Sequence, residues 1–286
     1  MTSPESAPLY VAARRVLLDA LDALAEHRKA VILAGAQAIY VRTGSATLDV
    51  SVAPYTTDAD LALDPRVLGA NPALTEAMES AGFWLSSEPG IWQRSVFVAG
   101  KQVIVPVDLL VPEALAGKGR RSAQLPAHGP NAARRTPGLE AAVADHSDVM
   151  IASLEPGADD RMMLVPVAGA AALFIAKAHK LYERFHDASA GKPARLKAKD
   201  ASDVIRLMQA EPAEQVGRRL REIASDEMAG ESVRQGVNHL RELFGRGRSR
   251  GVNLAVAALG AALPEAAVRA LAPAYLRALL GAYDPH

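Results

Sequence analysis

The sequence predicts an α+β protein in two parts, and three observations predict it. Val31–Ala34 is a short apolar run that ends at Gly35 and is followed by helix-forming residues, the pattern of a strand turning into a helix. Between residues 82 and 111, apolar runs of strand length are separated by turn signals such as Ala99-Gly100-Lys101. From Val167 to the end the apolar residues recur at helical spacing and no strand signal appears. The expected division is a strand-containing first domain, 1–166, and a helical second domain, 167–286.

Composition excludes several classes. The chain has 286 residues, 50% hydrophobic and 22% charged, which suits a globular fold with a sizeable core. With 32 basic and 32 acidic residues the net charge is zero, so any nucleic-acid contact must use a local patch. The absence of cysteine removes disulfides, thiolate catalysis and cysteine zinc sites. Met1–Pro8 is polar and lacks the features of a signal peptide, and the longest apolar run, Val165–Ala176, falls short of a membrane span. A cytoplasmic protein without a membrane partner is expected.

The elements follow in order. Leu9–His27 has Leu17, Leu18, Leu21 and Leu24 on one helical face. The Val31–Ala34 strand leads through Gly35-Ala36-Gln37-Ala38 into a helix ending near Gly44, and Leu48–Pro54 reads as an irregular approach. Tyr55–Asp64 reads as a short strand, Asn71–Ala81 as a helix, and Gly82–Ser87, Ile91–Val98 and Val103–Val111 as strands. Glu113–Pro137 is rich in Gly, Pro and basic residues and reads as a long mobile loop. Leu139–Pro166 reads as short strands and turns. Val167–His186 is a helix, Ala190–Lys199 a linker, and Asp200–Met208 a second helix. Pro212–Ala229, Ser232–Phe244, Leu254–Leu263 and Pro264–Tyr283 are further helices, with a basic loop at Gly245–Gly251.

The chemistry gathers around Asp58 and Asp60. Two residues apart on a strand, their side chains point to one face. Two hard oxygen donors aimed at one point suit Mg²⁺, which binds through one or two carboxylates and substrate phosphates. Asp108 is the only acid in Val103–Val111, and a buried carboxylate needs a partner or a metal. It is the candidate third metal ligand and a candidate base for an attacking hydroxyl. The turn Gly35-Ala36-Gln37, at a helix start, offers backbone N–H groups to phosphates. Lys180, or Lys177 a turn earlier, offers a point charge, and Asp200 and Asp203 share one helix face. Together these parts make a kit for phosphoryl transfer from a nucleoside triphosphate.

The order of parts resembles the AbiEii/MenT-like nucleotidyltransferase toxins of the polymerase-beta-like superfamily. The residues that carry the resemblance are Gly35–Ala38, Thr56-Thr57-Asp58-Ala59-Asp60, Asp108, Lys180-Leu181 and Lys199-Asp200-Ala201-Ser202-Asp203. It spans about Val31–Met208 and leaves the C-terminal helices unexplained. It departs at Gly35-Ala36, where the superfamily usually has Gly-Gly or Gly-Ser. The resemblance implies a small mixed sheet with flanking helices, a helical domain, and a cleft between them. It implies Mg²⁺ and a triphosphate donor, with Lys180 on phosphates, Thr57 in the site motif, and Asp203 and Asp200 facing the cleft.

The leading expectation is therefore a Mg²⁺-dependent enzyme moving a nucleotide to the 3′ end of RNA, tRNA above all, as a toxin restrained by an antitoxin protein. Local support for RNA is limited to Arg120, Arg121, Arg134, Arg135, Lys192, Arg195, Lys197, Lys199 and the Arg246–Arg250 loop. The alternatives are the same chemistry on an aminoglycoside-like molecule or a protein hydroxyl, and a catalytically silent fold that binds nucleotide or a partner. No H-E-x-x-H pair, G-x-S-x-G elbow or Walker loop is present.

Overall fold

The computed structural model describes residues 6–44, 56–260 and 262–284. The expected approach Leu48–Pro54 lies outside them. Among the described residues eight strands form one mixed sheet, followed by helices alone.

Helix α1 (Ser6–Ala23) is amphipathic, with Ala13, Val16, Leu17, Ala20 and Leu21 buried on its inner face. A 3₁₀ turn leads to β1 (Val31–Ala34), all four residues of which are buried. Helix α2 (Gly35–Thr43) follows without a connecting residue, and β2 (Ala59–Leu63) comes next. After α3 (Leu74–Ser80) and β3 (Trp84–Leu85), β4 (Ile91–Val98) and β5 (Lys101–Pro112) make a long hairpin. Then come β6 (Arg134–Thr136), α4 (Glu140–Ala144), β7 (His146–Ala152) and β8 (Met162–Ala168).

The sheet order is β3-β4-β5-β2-β1-β8-β7, with β6 beside β5. β1 is antiparallel to β2 and parallel to β8, while β2 is parallel to β5. These inner strands are covered on both faces, so they read as nearly continuous apolar runs: Leu61, Ala62 and Leu63 on β2 are all fully buried. An acid in such a strand is therefore conspicuous, and β2 and β5 carry one each, Asp60 and Asp108.

Four expectations need correction. The strand-poor reading of Glu113–Pro137 fails at its end, where Leu110 pairs with Arg134 and Pro112 with Thr136. Buried Glu140 holds this segment down: its carboxylate accepts from the backbone N–H groups of Ala114 (3.1 Å) and Gly138 (2.9 Å) and from the Ser232 hydroxyl (2.8 Å). Leu139–Asp148 contains the short helix α4 rather than strand alone. Val167 belongs to β8, where it pairs with Leu33, and the following helix α5 (Ala170–Ser189) begins after Gly169. The apolar run that suggested one helix is split because its first residues are taken into the sheet. Lys199 is not in a linker but in the first turn of α6 (Ala198–Ala210).

The remaining helices are α7 (Ala213–Ile223), α8 (Gly230–Phe244), α9 (Arg250–Leu259) and α10 (Glu265–Tyr283). α7 packs on α10, α8 on α5, and α9 on α6. α5 and α6 also touch α2, so the helical half bears directly on the element that follows β1. Among the described residues no helix is long and apolar enough to cross a membrane.

Candidate active site

The end of β1, the start of β2 and the inner part of β5 stand side by side. Ala34 is opposite Asp60, and Asp60 is opposite Asp108. Neighbouring strands lie about 4.8 Å apart, and side chains in register rise to the same face. Two carboxylates from residues far apart in sequence therefore stand as neighbours because of strand register alone.

Gly35 sits at the head of this row. Its φ is +63°, in the left-handed region that glycine tolerates. A Cβ here would overlap the carboxylate of Asp60. Glycine is thus required twice, by the backbone and by the acid beside it. Gly35→Ala is expected to cost about 2 kcal/mol of stability from the backbone conformation and to displace Asp60. A melting curve of the purified variant measures the first effect. An unchanged transition temperature would contradict it.

Asp58 was expected on the strand with Asp60, but β2 begins at Ala59. Its placement comes from elsewhere. The buried Thr56 hydroxyl donates to Asp58 Oδ1. Gln37 Nε2 donates to the Asp58 backbone carbonyl at 3.1 Å and to that of Ala13 at 3.1 Å. The Gln37 amide oxygen accepts from Arg14 Nε at 3.0 Å. The side chain of Gln37 is thus a prop, and Ala36 is buried beside it. Any phosphate contact by these two residues would use backbone N–H groups. Thr57 is half-buried between Thr56 and Asp58.

The helical half brings cations to these acids. Lys177 is buried and bonds Asp200 Oδ1 at 2.8 Å and Asp203 Oδ2 at 2.6 Å. Burial alone would lower its pKa, but the two carboxylates hold it well above the ordinary value. Burial alone would raise Asp200, yet Lys177, Lys180 and Arg184 hold it far below the carboxylate range. Lys180 Nζ lies 3.3 Å from Asp200 and keeps a third of its side chain exposed. Asp203 also accepts from the Tyr40 hydroxyl at 3.4 Å, which ties α6 to α2. Lys177 is therefore committed to two carboxylates inside the helical half, whereas Lys180 is at its surface.

Two further residues reach the acid row. Lys199 lies with its ammonium 6.0 Å from the Tyr40 ring centre. Burial, together with the charge of Lys177, lowers its pKa, against the pull of Asp203 and Asp58. Asp58 in turn would be raised by burial, but the Thr56 hydroxyl and the charges of Lys199, Lys180 and Lys177 bring it below the usual value. Arg134, expected in a loop, donates from Nη2 to Asp108 Oδ2. Even so, burial and the negative charges of Asp60 and Asp58 push Asp108 up to about 7. Both fall outside the site that the sequence suggests: Lys199 reads as part of a linker, although its spacing of one turn before Asp203 is a signal that could have found it, and the three residues of β6 are too short to read as a strand.

Hard oxygen donors and an anion destabilised by its anionic neighbours are what a divalent cation relieves. Among the described residues no group of three or more His, Cys, Asp or Glu side chains is gathered as a metal site. Mg²⁺ needs fewer, since one or two carboxylates and the substrate phosphates complete its shell. Asp60 with Asp58 or Asp108 meets that requirement.

No protein-family profile matches the chain. No curated protein matches it in sequence. A crystal structure of an H. pylori protein to which nucleotidyltransferase activity has been ascribed aligns over 98% of this chain and 97% of its own, at 9% identity and a TM-score of 0.44.

Proposed function

We propose that the protein is a Mg²⁺-dependent nucleotidyltransferase. The observation that carries the reading is the row formed by Gly35 just after β1, Asp60 on β2 and Asp108 on β5, with Asp58 beside it and Lys180 and Lys199 facing it from the helical half. A purely structural sheet has no use for three neighbouring acids, one of them, Asp108, buried where it costs stability.

Asp60 with Asp58 or with Asp108 would hold Mg²⁺, which when bound would supply charge neutralisation on the triphosphate oxygens. The chain's own groups do the remainder. Lys180 and Lys199 carry positive charge to the phosphates, and the N–H groups at the start of α2 add the favourable end of the helix dipole. Where Asp58 and Asp60 hold the ion, Asp108 is suited to receive the proton of an attacking hydroxyl, since its burial favours the protonated form. The buried Lys177–Asp200–Asp203 group, with Tyr40, keeps α5, α6 and α2 in place so that these charges meet.

The acceptor we propose is the 3′ end of RNA, with a toxin role restrained by an antitoxin; support is the sequence resemblance and the exposed bases Lys118, Arg120, Lys192, Lys197, Arg246 and Arg248. One observation favours a smaller acceptor instead. Arg135 pairs with Glu113, Arg195 with Asp187 and Arg250 with Glu242, so much of the basic surface is already neutralised. Incubation with Mg²⁺, each α-labelled nucleoside triphosphate and total tRNA, beside Asp60→Ala, tests both. Labelled tRNA that disappears in the variant, a loss of at least about a thousandfold, supports the RNA reading. Label appearing only on an aminoglycoside or a protein selects the second. No transfer to any acceptor overturns the enzyme reading.

A further inference from the structure

The contact between Arg134 and Asp108 is built by the sheet. β6 runs parallel to β5 with Arg134 opposite Leu110, two residues after Asp108 and on the same face. A long side chain at that diagonal position reaches the carboxylate, and Arg134 Nη2 donates to Asp108 Oδ2. The strand is brought close by other residues. At Gly90, whose φ is +71°, a Cβ would collide with the backbone nitrogen of Arg134 and the carbonyl oxygen of Leu109. The indole of fully buried Trp92 donates to the Ala132 carbonyl at 2.9 Å. The Arg135 backbone N–H donates to the Arg121 carbonyl at 2.8 Å. The backbone at Arg134 is therefore held beside β5 by its neighbours on both sides, and the side chain reaches Asp108 from that position.

Its donor capacity is not exhausted. Among the described residues, Arg134 Nε is buried without a hydrogen-bond partner. A guanidinium matches phosphate oxygens as well as it matches a carboxylate, through the same planar fork. A divalent cation and Arg134 compete for one carboxylate. A cation that comes alone must break the ion pair and leave the guanidinium without an anion. A cation that comes with a triphosphate brings new oxygens for the displaced guanidinium.

We infer that Arg134 is a positioning residue that makes divalent-cation binding at Asp108 depend on the triphosphate, by passing from the Asp108 carboxylate to phosphate oxygens when both enter together. The inference rests on the nucleotidyltransferase reading above and adds an order of loading to it. It assigns a role to the 113–137 segment as well, since that segment ends in the strand that holds Arg134.

The test is Mn²⁺ binding to the full chain, followed by the electron paramagnetic resonance of free Mn²⁺, with and without a non-hydrolysable triphosphate analogue. For the wild type the analogue is expected to tighten Mn²⁺ binding at least about tenfold. Arg134→Met is expected to bind Mn²⁺ alone about fivefold or more tightly than the wild type, with a smaller gain from the analogue. Binding of Mn²⁺ alone that is unchanged or weaker in Arg134→Met overturns the inference. Should that variant lack a cooperative thermal transition, Arg134→Lys decides, because lysine keeps a charge but loses the fork. Tighter binding than wild type then supports the inference and equal binding overturns it. If the wild type and every variant bind neither Mn²⁺ nor the analogue, the nucleotidyltransferase reading fails and takes this inference with it. Wild-type binding without a difference at Arg134 removes the inference alone.

Discussion

Lys177→Met is expected to lower the unfolding free energy by about 3–5 kcal/mol, the largest stability effect we anticipate from a single charged residue here. Lys177 is buried and bridges Asp200 and Asp203, which are buried themselves. Methionine fills similar space but leaves the carboxylates without their shared cation. Asp200 retains Lys180 and Arg184, while Asp203 keeps the Tyr40 hydroxyl. The loss should therefore fall mainly on Asp203, and Lys177→Met with Asp203→Asn should recover part of it. Urea denaturation of the three proteins measures both effects. A single-variant loss under about 1 kcal/mol would mean that water reaches these groups after all. The linkage sign follows from the depressed pKa of Asp200. Its folded-state value lies below the unfolded one, so its stabilisation is present above the unfolded pKa and is lost as pH falls through the folded value. Acid unfolding of the wild type should begin below about pH 4, where the unfolded chain takes up that proton first.

Asp108→Asn should have the opposite effect on stability and abolish transfer. Asp108 has its pKa raised to about 7 by burial and by Asp60 and Asp58, in spite of Arg134. Between its ordinary value and the raised one, the folded chain binds more protons than the unfolded chain, so stability falls as pH rises through that window. By about pH 8 the cost is on the order of 2–4 kcal/mol, and asparagine removes it. Arg134 loses its anion in the variant, but the amide oxygen of asparagine can still accept from its guanidinium. Melting temperatures from about pH 5 to 8 should fall in the wild type relative to Asp108→Asn. Equal slopes in the two proteins would refute the shift. Added Mg²⁺ should raise the wild-type transition more than that of the variant, because a ligand stabilises the state that binds it.

These two variants separate the halves of the site by physical role. In the helical half, buried Lys177 is bonded to Asp200 and Asp203, and this group holds α5 against α6. In the sheet, Asp58, Asp60 and Asp108 crowd one another, and a metal with a triphosphate would enter between them and the cations opposite, Lys180 and Lys199. The stability lost at Asp108 and the cation binding we propose there have one cause, the crowding of negative charge around a buried carboxylate.

Much of this was legible before any coordinates. The apolar run of Val31–Ala34, the helical period of the second half and the lone acid of Val103–Val111 are local patterns, and local patterns follow from residue chemistry and period. They specified an α+β protein in which Asp58, Asp60 and Asp108 stood out, and the observed sheet and helices agree with that class. Where the reading failed, the deciding interaction was distant. Val167 joins the sheet because Leu33 pairs with it. Arg134 faces Asp108 because β6, too short to show a period, is drawn beside β5 by Gly90 and Trp92. Gln37 supports Asp58 through its side chain because α1 passes close enough to share the amide. The sequence alone determined which residues carry charge into an apolar setting. Only the tertiary structure decided which of those charges neutralise one another and which remain for a substrate, since pairing depends on strand register and helix packing across long separations in the chain.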